Sequence, residues 1–525
     1  MQDAYDAVII GAGHNSLACA AHLAAKGWSV GVFEQSEMAG GAIKTLELTA
    51  PGFRHDWAAM NMNLFAGSDF FKAYSDELMR HGLAFAPVEN CFSSVFPDGR
   101  WLGIGNDLET NLKRIAAFSP ADAETWKQLS AAFPDRAEHI FGLLGSPMKM
   151  HVFARFLFRL WRKEGSAEAA ALIRFLMASP RDWLTETFES PHLRATLAAW
   201  GMHLDFAPDV SGGALFPYLE GMANQSFGMV LGKGGAGTVV AALRSMVKDE
   251  GGEIHCGQAV ETIITEGGRA VGIVLAGGRQ VSARKSVIAC TGPAALVDRL
   301  LGDGVGGDGF AAKMRRFQYA PGTMMIHLAM DDLPDWQADE ALRRFAYVHV
   351  APSLDQMARA YQQAIAGLLP DEPVIVCGQP TTVDPSRAPE GKHVLWMQVR
   401  MAPAVVKGDA AGAIAATDWD TIKEPFAERA LDIVERYAPG LRRRILARHV
   451  VSPLDLQADN PNLVGGDQIG GSHHLTQHFL FRPAYGLANG KTPVDNLYLT
   501  GASVWPGAGV GAGSGYLLGR QLAGS

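Results

Sequence analysis

The chain has 525 residues, a formal net charge of −8, 48% residues of the hydrophobic set and only 19% charged residues. That balance excludes a disordered chain and argues against a protein whose main partner is nucleic acid. At about 150 residues per domain the length suits roughly three domain-sized units or two larger lobes. Five scattered cysteines without a C-x-x-C exclude a disulfide scaffold, a redox dithiol and a zinc knuckle. No apolar run reaches the ~18 residues of a spanning helix, and no basic-then-apolar leader opens the chain, so a cytoplasmic compartment is expected.

The first elements carry the strongest local signal. Residues 5–10 are an apolar run predicted as a strand. Gly11-Ala12-Gly13-His14-Asn15-Ser16 reads as a tight turn, 17–26 as an Ala-rich helix closed by Gly27, and 28–33 as a second strand ending at Glu34. This is a βαβ unit of the length a parallel sheet needs. Within it Gly11 permits the turn, and Gly13 lets the backbone approach a pyrophosphate at a helix N-terminus. Ser16 is small enough for helix and strand to pack. Glu34 stands where a carboxylate accepts both hydroxyls of an adenosine ribose. The plain alternative is a structural turn that binds nothing. Gly40-Gly41 brings a second backbone turn to the same dinucleotide, a feature common in FAD proteins and not required for NAD.

From about 69 to 224 the chain is rich in Phe, Trp, Leu and Arg with helical periodicity, interrupted by prolines. It reads as a helical lobe with a few strands, such as 93–96 before the turn Pro97-Asp98-Gly99-Arg100. Residues 148–163 are predicted as a helix. Val152, Phe153, Phe156, Leu157 and Leu160 share one face, and Arg155, Arg159 and Arg162 share the other. Such a helix suits peripheral membrane contact, or packs on its own lobe with snorkelling arginines.

A second Gly232-x-Gly234-x-x-Gly237 precedes a predicted helix over 238–249. What comes before it is poorly strand-like, and His255, Cys256, Gly257 and Gln258 stand where an acid is needed. It is read as a Gly-rich helix start, not a nicotinamide site. One dinucleotide site points to tightly held FAD. Short strands are predicted over 253–258, 259–265, 270–275 and 286–290. Further strands follow over 323–329, 374–377 and 393–400, with a helix over 354–369. The tail returns to a strand (497–500), a Gly-rich turn (501–513) and a helix (514–523). The positive end of that helix suits the pyrimidine side of an isoalloxazine, where negative charge develops on reduction.

These motifs resemble the flavin-dependent phytoene desaturase superfamily. The resemblance rests on Gly11-Ala12-Gly13-His14-Asn15, Gly40-Gly41, Asp384-Pro385-Ser386 with Ala388-Pro389, and the tail Leu497-Tyr498-Leu499-Thr500-Gly501-Ala502 with Pro506 to Val510. Gly465-Gly466-Asp467-Gln468-Ile469, Gln477 and Arg482-Pro483 are similar to the branch of the pyridine nucleotide-disulphide oxidoreductase domain-containing proteins. The resemblance implies an α/β fold with an α+β substrate lobe. A discontinuous Rossmann-like FAD-binding domain of the amine oxidase and phytoene desaturase type (1–68, 225–300, 485–525) carries an inserted substrate domain (69–224, 301–484). FAD contacts are expected at Gly11, Gly13, Ser16, Glu34, Gly40, Gly41, Val260, Gly501 and Val510. Ala42 departs from relatives that carry Arg, and Trp505 from relatives with His or Thr.

The candidates for chemistry follow. Trp505 either stacks on substrate or flavin or packs ahead of Pro506. His474 and His478 are spaced i, i+4, but no H-E-x-x-H and no third ligand accompany them, so no metal is expected; one of them serves as a proton acceptor or a polar cavity contact. Arg482 anchors a substrate carbonyl or carboxylate, or pairs with Asp467. His55 and Asp56 either reach the flavin or form a surface turn. The expected activity is an FAD-dependent desaturase or dehydrogenase on an apolar or alicyclic small molecule, with oxygen or a quinone as electron acceptor. The alternatives are a flavin amine oxidase and a non-catalytic prenyl- or lipid-binding protein.

Overall fold

A computed structural model describes residues 1–524, apart from the side chain of Glu164. Its first layer is a seven-stranded sheet. Glu253–His255, Val30–Phe33, Ala4–Ile10, Gln280–Ala289 and Leu497–Leu499 lie side by side and parallel. Val260–Glu266 and Arg269–Leu275 extend it antiparallel. The parallel strands are unbroken apolar runs because helices cover both faces: Val8, Ile9, Val30 and Val32 are all fully buried. Strands from the start, middle and end of the chain therefore share one sheet.

Helix His14–Ala25 covers one face together with Gly237–Asp249 and the terminal helix Gly513–Ala523. Gly515 and Gly519 face the first helix, against Asn15 and His22. Helix Asp69–Arg80 buries Phe70 and Leu78 in the same core, so the chain leaves this layer after about residue 83 rather than at 68. Phe310 and Met314 also pack there, on the sheet's other face.

A second seven-stranded sheet is mainly antiparallel. Its order is Ile445–Val451, Gly322–Met330, His393–Ala402, Val374–Gly378, Tyr347–Val350, Asn90–Val95 and Trp101–Gly105. Helices between 108 and 227 lean on it through Trp126, Phe133, Leu197 and Tyr218. The segment Met150–Met177 is two helices joined at Gly165, whose φ of +87° only glycine adopts easily. Phe156 and Leu160, on the apolar face that suited either a bilayer or packing on its own lobe, turn inward to line the central cavity. Arg155, Arg159 and Arg162 face outward, and so do Phe158 and Trp161. Among the described residues no helix is long and apolar enough to cross a membrane.

Met229–Gly232, judged poorly strand-like, is a strand paired with Phe85–Val88. It escapes recognition because it belongs to a two-stranded ribbon, not to the nucleotide-type sheet.

Candidate active site

The first turn is built for an anion. Gly11 has φ +89°, and a Cβ there would crowd the Cys290 carbonyl at 3.3 Å. Gly13 caps the first helix without a side chain, no acid sits in that helix's first turn, and nothing lies within 4 Å of where a Cβ would stand. Backbone N–H groups and the helix dipole thus face open space. Glu34 is 9% exposed; one carboxylate oxygen accepts the Ala12 N–H (2.7 Å) and the other the Ser36 N–H (2.9 Å). Gly40 donates its N–H to the Ala12 carbonyl (2.9 Å), tying the two glycine turns together.

These turns line one cavity of about 1510 Å³. Gly11, Gly13, Glu34, Gly40, Gly41, Val260, Gly501 and Val510 all border it. Ser16 lies behind the turn instead, fully buried next to the Cys290 thiol. The volume exceeds the ~300–1,000 Å³ of an ordinary ligand pocket, leaving room for a dinucleotide and a second molecule. The open N-terminus, the ribose-directed carboxylate and the buried, unpartnered Thr291 hydroxyl on the cavity wall fit FAD. Ala42 borders the cavity. Nearby Lys44 also borders it, but its ammonium is held by Asp459 at 2.7 Å.

The second glycine motif is filled from within. Gly234, Ala236 and Gly237 donate their N–H groups to Asp384 (2.6 Å), Asp56 (2.8 Å) and Thr45 (2.9 Å). Asp56 is also paired with the fully buried Arg387 at 2.6 Å. Asp56 therefore neither reaches the flavin nor sits on the surface; it closes this turn. Neighbouring His55 is buried against Thr49 and His327.

Beyond the glycine turns the cavity opens between the two sheets. Trp200, Tyr347 and Trp396 form its apolar wall, with Tyr347 5.9 Å from Trp200 and 6.2 Å from Trp396 between ring centres. Gln398, Arg400 and Gln468 bring polarity. Arg400 donates to Thr323 (2.9 Å) and to the Met202 and His203 carbonyls, and burial pulls its pKa down to about 10.

The four proposed catalytic side chains are placed differently from one another. His478 borders the cavity; burial, then Arg482, pushes its pKa down to about 3, so it is neutral. His474 does not border it. Its ring nitrogen meets Asp205 at 3.2 Å and the Tyr361 hydroxyl at 3.2 Å. Arg482 is fully buried and does not border the cavity. Its three nitrogens donate to the carbonyls of Ala502, Ser472, Gly470 and Gly471, and no ion pair forms with Asp467. It fixes the turn after Gly501 to the 470–472 loop. Trp505 does not border the cavity either. It is 2% exposed, donates to the Ser146 carbonyl (3.0 Å) and packs on His478 and Phe479.

His473, which belongs to the same histidine group as His474 and His478, borders the cavity. Its Nε2 accepts the Ala508 N–H (3.0 Å), which puts its proton on Nδ1 and steadies the tail turn. Trp200, Tyr347, Trp396, Arg400 and Glu220 were missed. They lie on elements far apart in the chain, and no local motif marks them. Among the described residues no cluster of three metal-ligating side chains occurs.

The family described as flavin containing amine oxidoreductase matches residues 17–512. Pyridine nucleotide-disulfide oxidoreductase domain-containing protein 2 of Rattus norvegicus is 29% identical, across 96% of this chain and 91% of the rat protein. One of the subunits of limonene dehydrogenase from Castellaniella defragrans is 25% identical, across 99% and 94%. A lycopene-forming phytoene desaturase of Paracoccus is 24% identical, across 96% and 94%. An oxidoreductase from Methanosarcina mazei superposes with a TM-score of 0.61 at 19% identity, covering 98% of both chains.

Proposed function

This chain belongs to the family of flavin-containing amine oxidoreductases, and from that premise we propose that it is an FAD-dependent dehydrogenase forming a carbon–carbon double bond in an apolar or alicyclic molecule. One observation carries the reading: a single cavity runs from the turns at Gly11, Glu34 and Gly501 into a chamber walled by Trp200, Tyr347 and Trp396. Bound FAD supplies the two-electron acceptor; the chain supplies everything else.

Glu34 and the two glycine turns hold the dinucleotide. The tail from Gly501 to Gly511, braced by Arg482 and His473, lines the cavity beside the two glycine turns. The aromatic wall binds an apolar molecule by burial and excludes water. Limonene dehydrogenase and phytoene desaturase are names of enzymes on hydrocarbons, and this wall suits that class. Oxygen or a quinone would then reoxidise the cofactor.

The outer face of Met150–Met177 would rest on an anionic bilayer that feeds such a molecule inward. Its exposed Phe158 (55%) and Trp161 (52%) stand among Arg155, Arg159 and Arg162, while its inner face borders the cavity. The test of the activity is optical. Purified protein is expected to be yellow, and anaerobic addition of cyclic or polyene hydrocarbons is expected to bleach it. A protein that stays colourless after reconstitution with FAD refutes the reading, and so does a yellow protein bleached by amines alone.

A further inference from the structure

Oxidation at two neighbouring carbons releases a proton as well as a hydride, and the chain must put that proton somewhere. Most ionisable groups around the chamber are unsuited to receive it. His473 has its Nε2 committed to Ala508 and, like His478, is held far below its usual range by burial. Arg400 has no lone pair to offer. Tyr347 is buried with its hydroxyl pushed up, chiefly by desolvation.

Glu220 is different. It lies in the second turn of helix Leu215–Phe227 and borders the cavity. One carboxylate oxygen accepts the Asn224 amide at 3.1 Å. Asn224 in turn meets Asn63 at 3.4 Å, in the segment that borders the cavity beside the glycine turns. Among the described residues no cation lies within 4 Å of Glu220, so its charge is offset by one amide alone. The other titratable groups whose fields couple to it are Tyr347 on strand Tyr347–Val350 and Cys91 on Asn90–Val95, both buried and both with raised pKa values.

We propose that Glu220 is the cavity's proton acceptor. This rests on the dehydrogenase reading above. Bound FAD would accept the electron pair and hydrogen of one substrate C–H bond as hydride. The C–H bond on the neighbouring carbon then breaks. Its electron pair becomes the new π bond, and its proton goes to the Glu220 carboxylate, which becomes a carboxylic acid. Burial raises the Glu220 pKa to about 7, the range in which an acceptor both stands ionised and holds a proton afterwards.

The test needs no substrate. FAD-loaded protein is reduced photochemically in weakly buffered solution at pH about 8, and proton uptake is read with an indicator dye. Negative charge arriving in the cavity raises the pKa of an ionised carboxylate facing it. Wild type is therefore expected to take up more protons per flavin reduced than Glu220→Gln, by a difference approaching one. Glu220→Asp is expected to recover part of the difference, and Glu168→Gln, at a solvent-exposed carboxylate on Met150–Met177, to leave uptake unchanged. Glu220→Gln keeps the shape and the Asn224 partner, so it folds and stays yellow. Equal uptake in wild type and Glu220→Gln, both yellow, overturns the assignment of Glu220 while leaving the flavin reading intact. A chain that never takes up FAD overturns that reading first and the proton role with it.

Discussion

Gly515 of the terminal helix lies so close to Asn15 of the first helix that a Cβ on it would stand 1.8 Å from the Asn15 carbonyl oxygen. Two segments 500 positions apart meet here, and the Gly515 N–H donates to the Asn15 side-chain oxygen at 3.3 Å. That contact presses the helix after the tail turn onto the helix after the first glycine turn, and both turns then border one cavity. A rotamer change cannot relieve an overlap with main-chain atoms. Gly515→Ala is therefore expected to separate the two helices and abolish flavin retention, read as loss of soluble yellow protein. Gly142→Ala provides the contrast. Its Cβ meets nothing within 4 Å in a helix interior, and a gain of about 0.5–1 kcal/mol is expected.

Glu34 holds the first turn in shape before any ligand arrives, through its bonds from Ala12 and Ser36. Glu34→Ala removes both charge-assisted bonds and the ribose acceptor together. At about 1.5–3 kcal/mol for a bond to a charged group, FAD affinity is expected to fall at least about 10-fold. Fluorescence titration of apoprotein with FAD measures it. An unchanged dissociation constant would place the adenosine elsewhere in the cavity.

This half of the site was legible because its chemistry is local. Strand, turn, helix, strand and acid occur within 34 residues, and each needs its residue type for a backbone reason. Rejection of the Gly232 motif rested on the missing acid and on a poorly strand-like approach, and the second ground fails because Met229–Gly232 is a strand. Its physical cause was not legible: Asp56, Asp384 and Thr45 fill that helix start from afar. Arg482 and Trp505 misled because their types suggest substrate contact, whereas their partners are backbone carbonyls fixed only by the tertiary fold. Glu220 was invisible for the opposite reason: a single Glu in a helix is ordinary until its cavity is known.

The Asp56–Arg387 pair is enclosed, with side chains 1% and 0% exposed. Arg387→Met leaves the Asp56 carboxylate with neutral partners only, and a buried charge stripped of its counterion costs about 3–5 kcal/mol. Asp56→Asn keeps an oxygen for the Ala236 N–H and removes the stranded charge. The double variant Asp56→Asn, Arg387→Met is expected to be more stable than Arg387→Met alone. Urea denaturation of the four proteins in the cycle gives the coupling directly. Additive effects would mean that the two groups do not act as a pair.

The outward arginines of Met150–Met177 give the membrane reading a measurable form. Each basic residue at an anionic surface contributes about 1 kcal/mol. Wild type is expected to float with phosphatidylserine vesicles and not with phosphatidylcholine alone. Arg155→Glu, Arg159→Glu and Arg162→Glu together are expected to weaken flotation on the order of 100-fold. None of the three borders the cavity, so flavin content is expected to stay the same. Equal flotation of both proteins would return this helix to the role of a simple cavity wall.

Buried histidines set the acid limit of the fold. Desolvation holds His55, His349 and His478 at about 3, far below the ordinary value near 6.5. A group whose folded pKa is depressed binds its proton first in the unfolded chain. Stability from these rings is thus complete above about pH 6.5 and is lost as pH falls toward 3. Each contributes a slope of about 1.4 kcal/mol per pH unit inside that window. Urea midpoints are expected to drop steeply between pH 6.5 and 5, before most carboxylates titrate. His349→Gln is expected to flatten the slope by one proton, because its Nδ1 is buried without a partner and an amide there does not ionise. A midpoint that holds constant down to pH 5 would mean these rings are charged in the folded protein or reached by water.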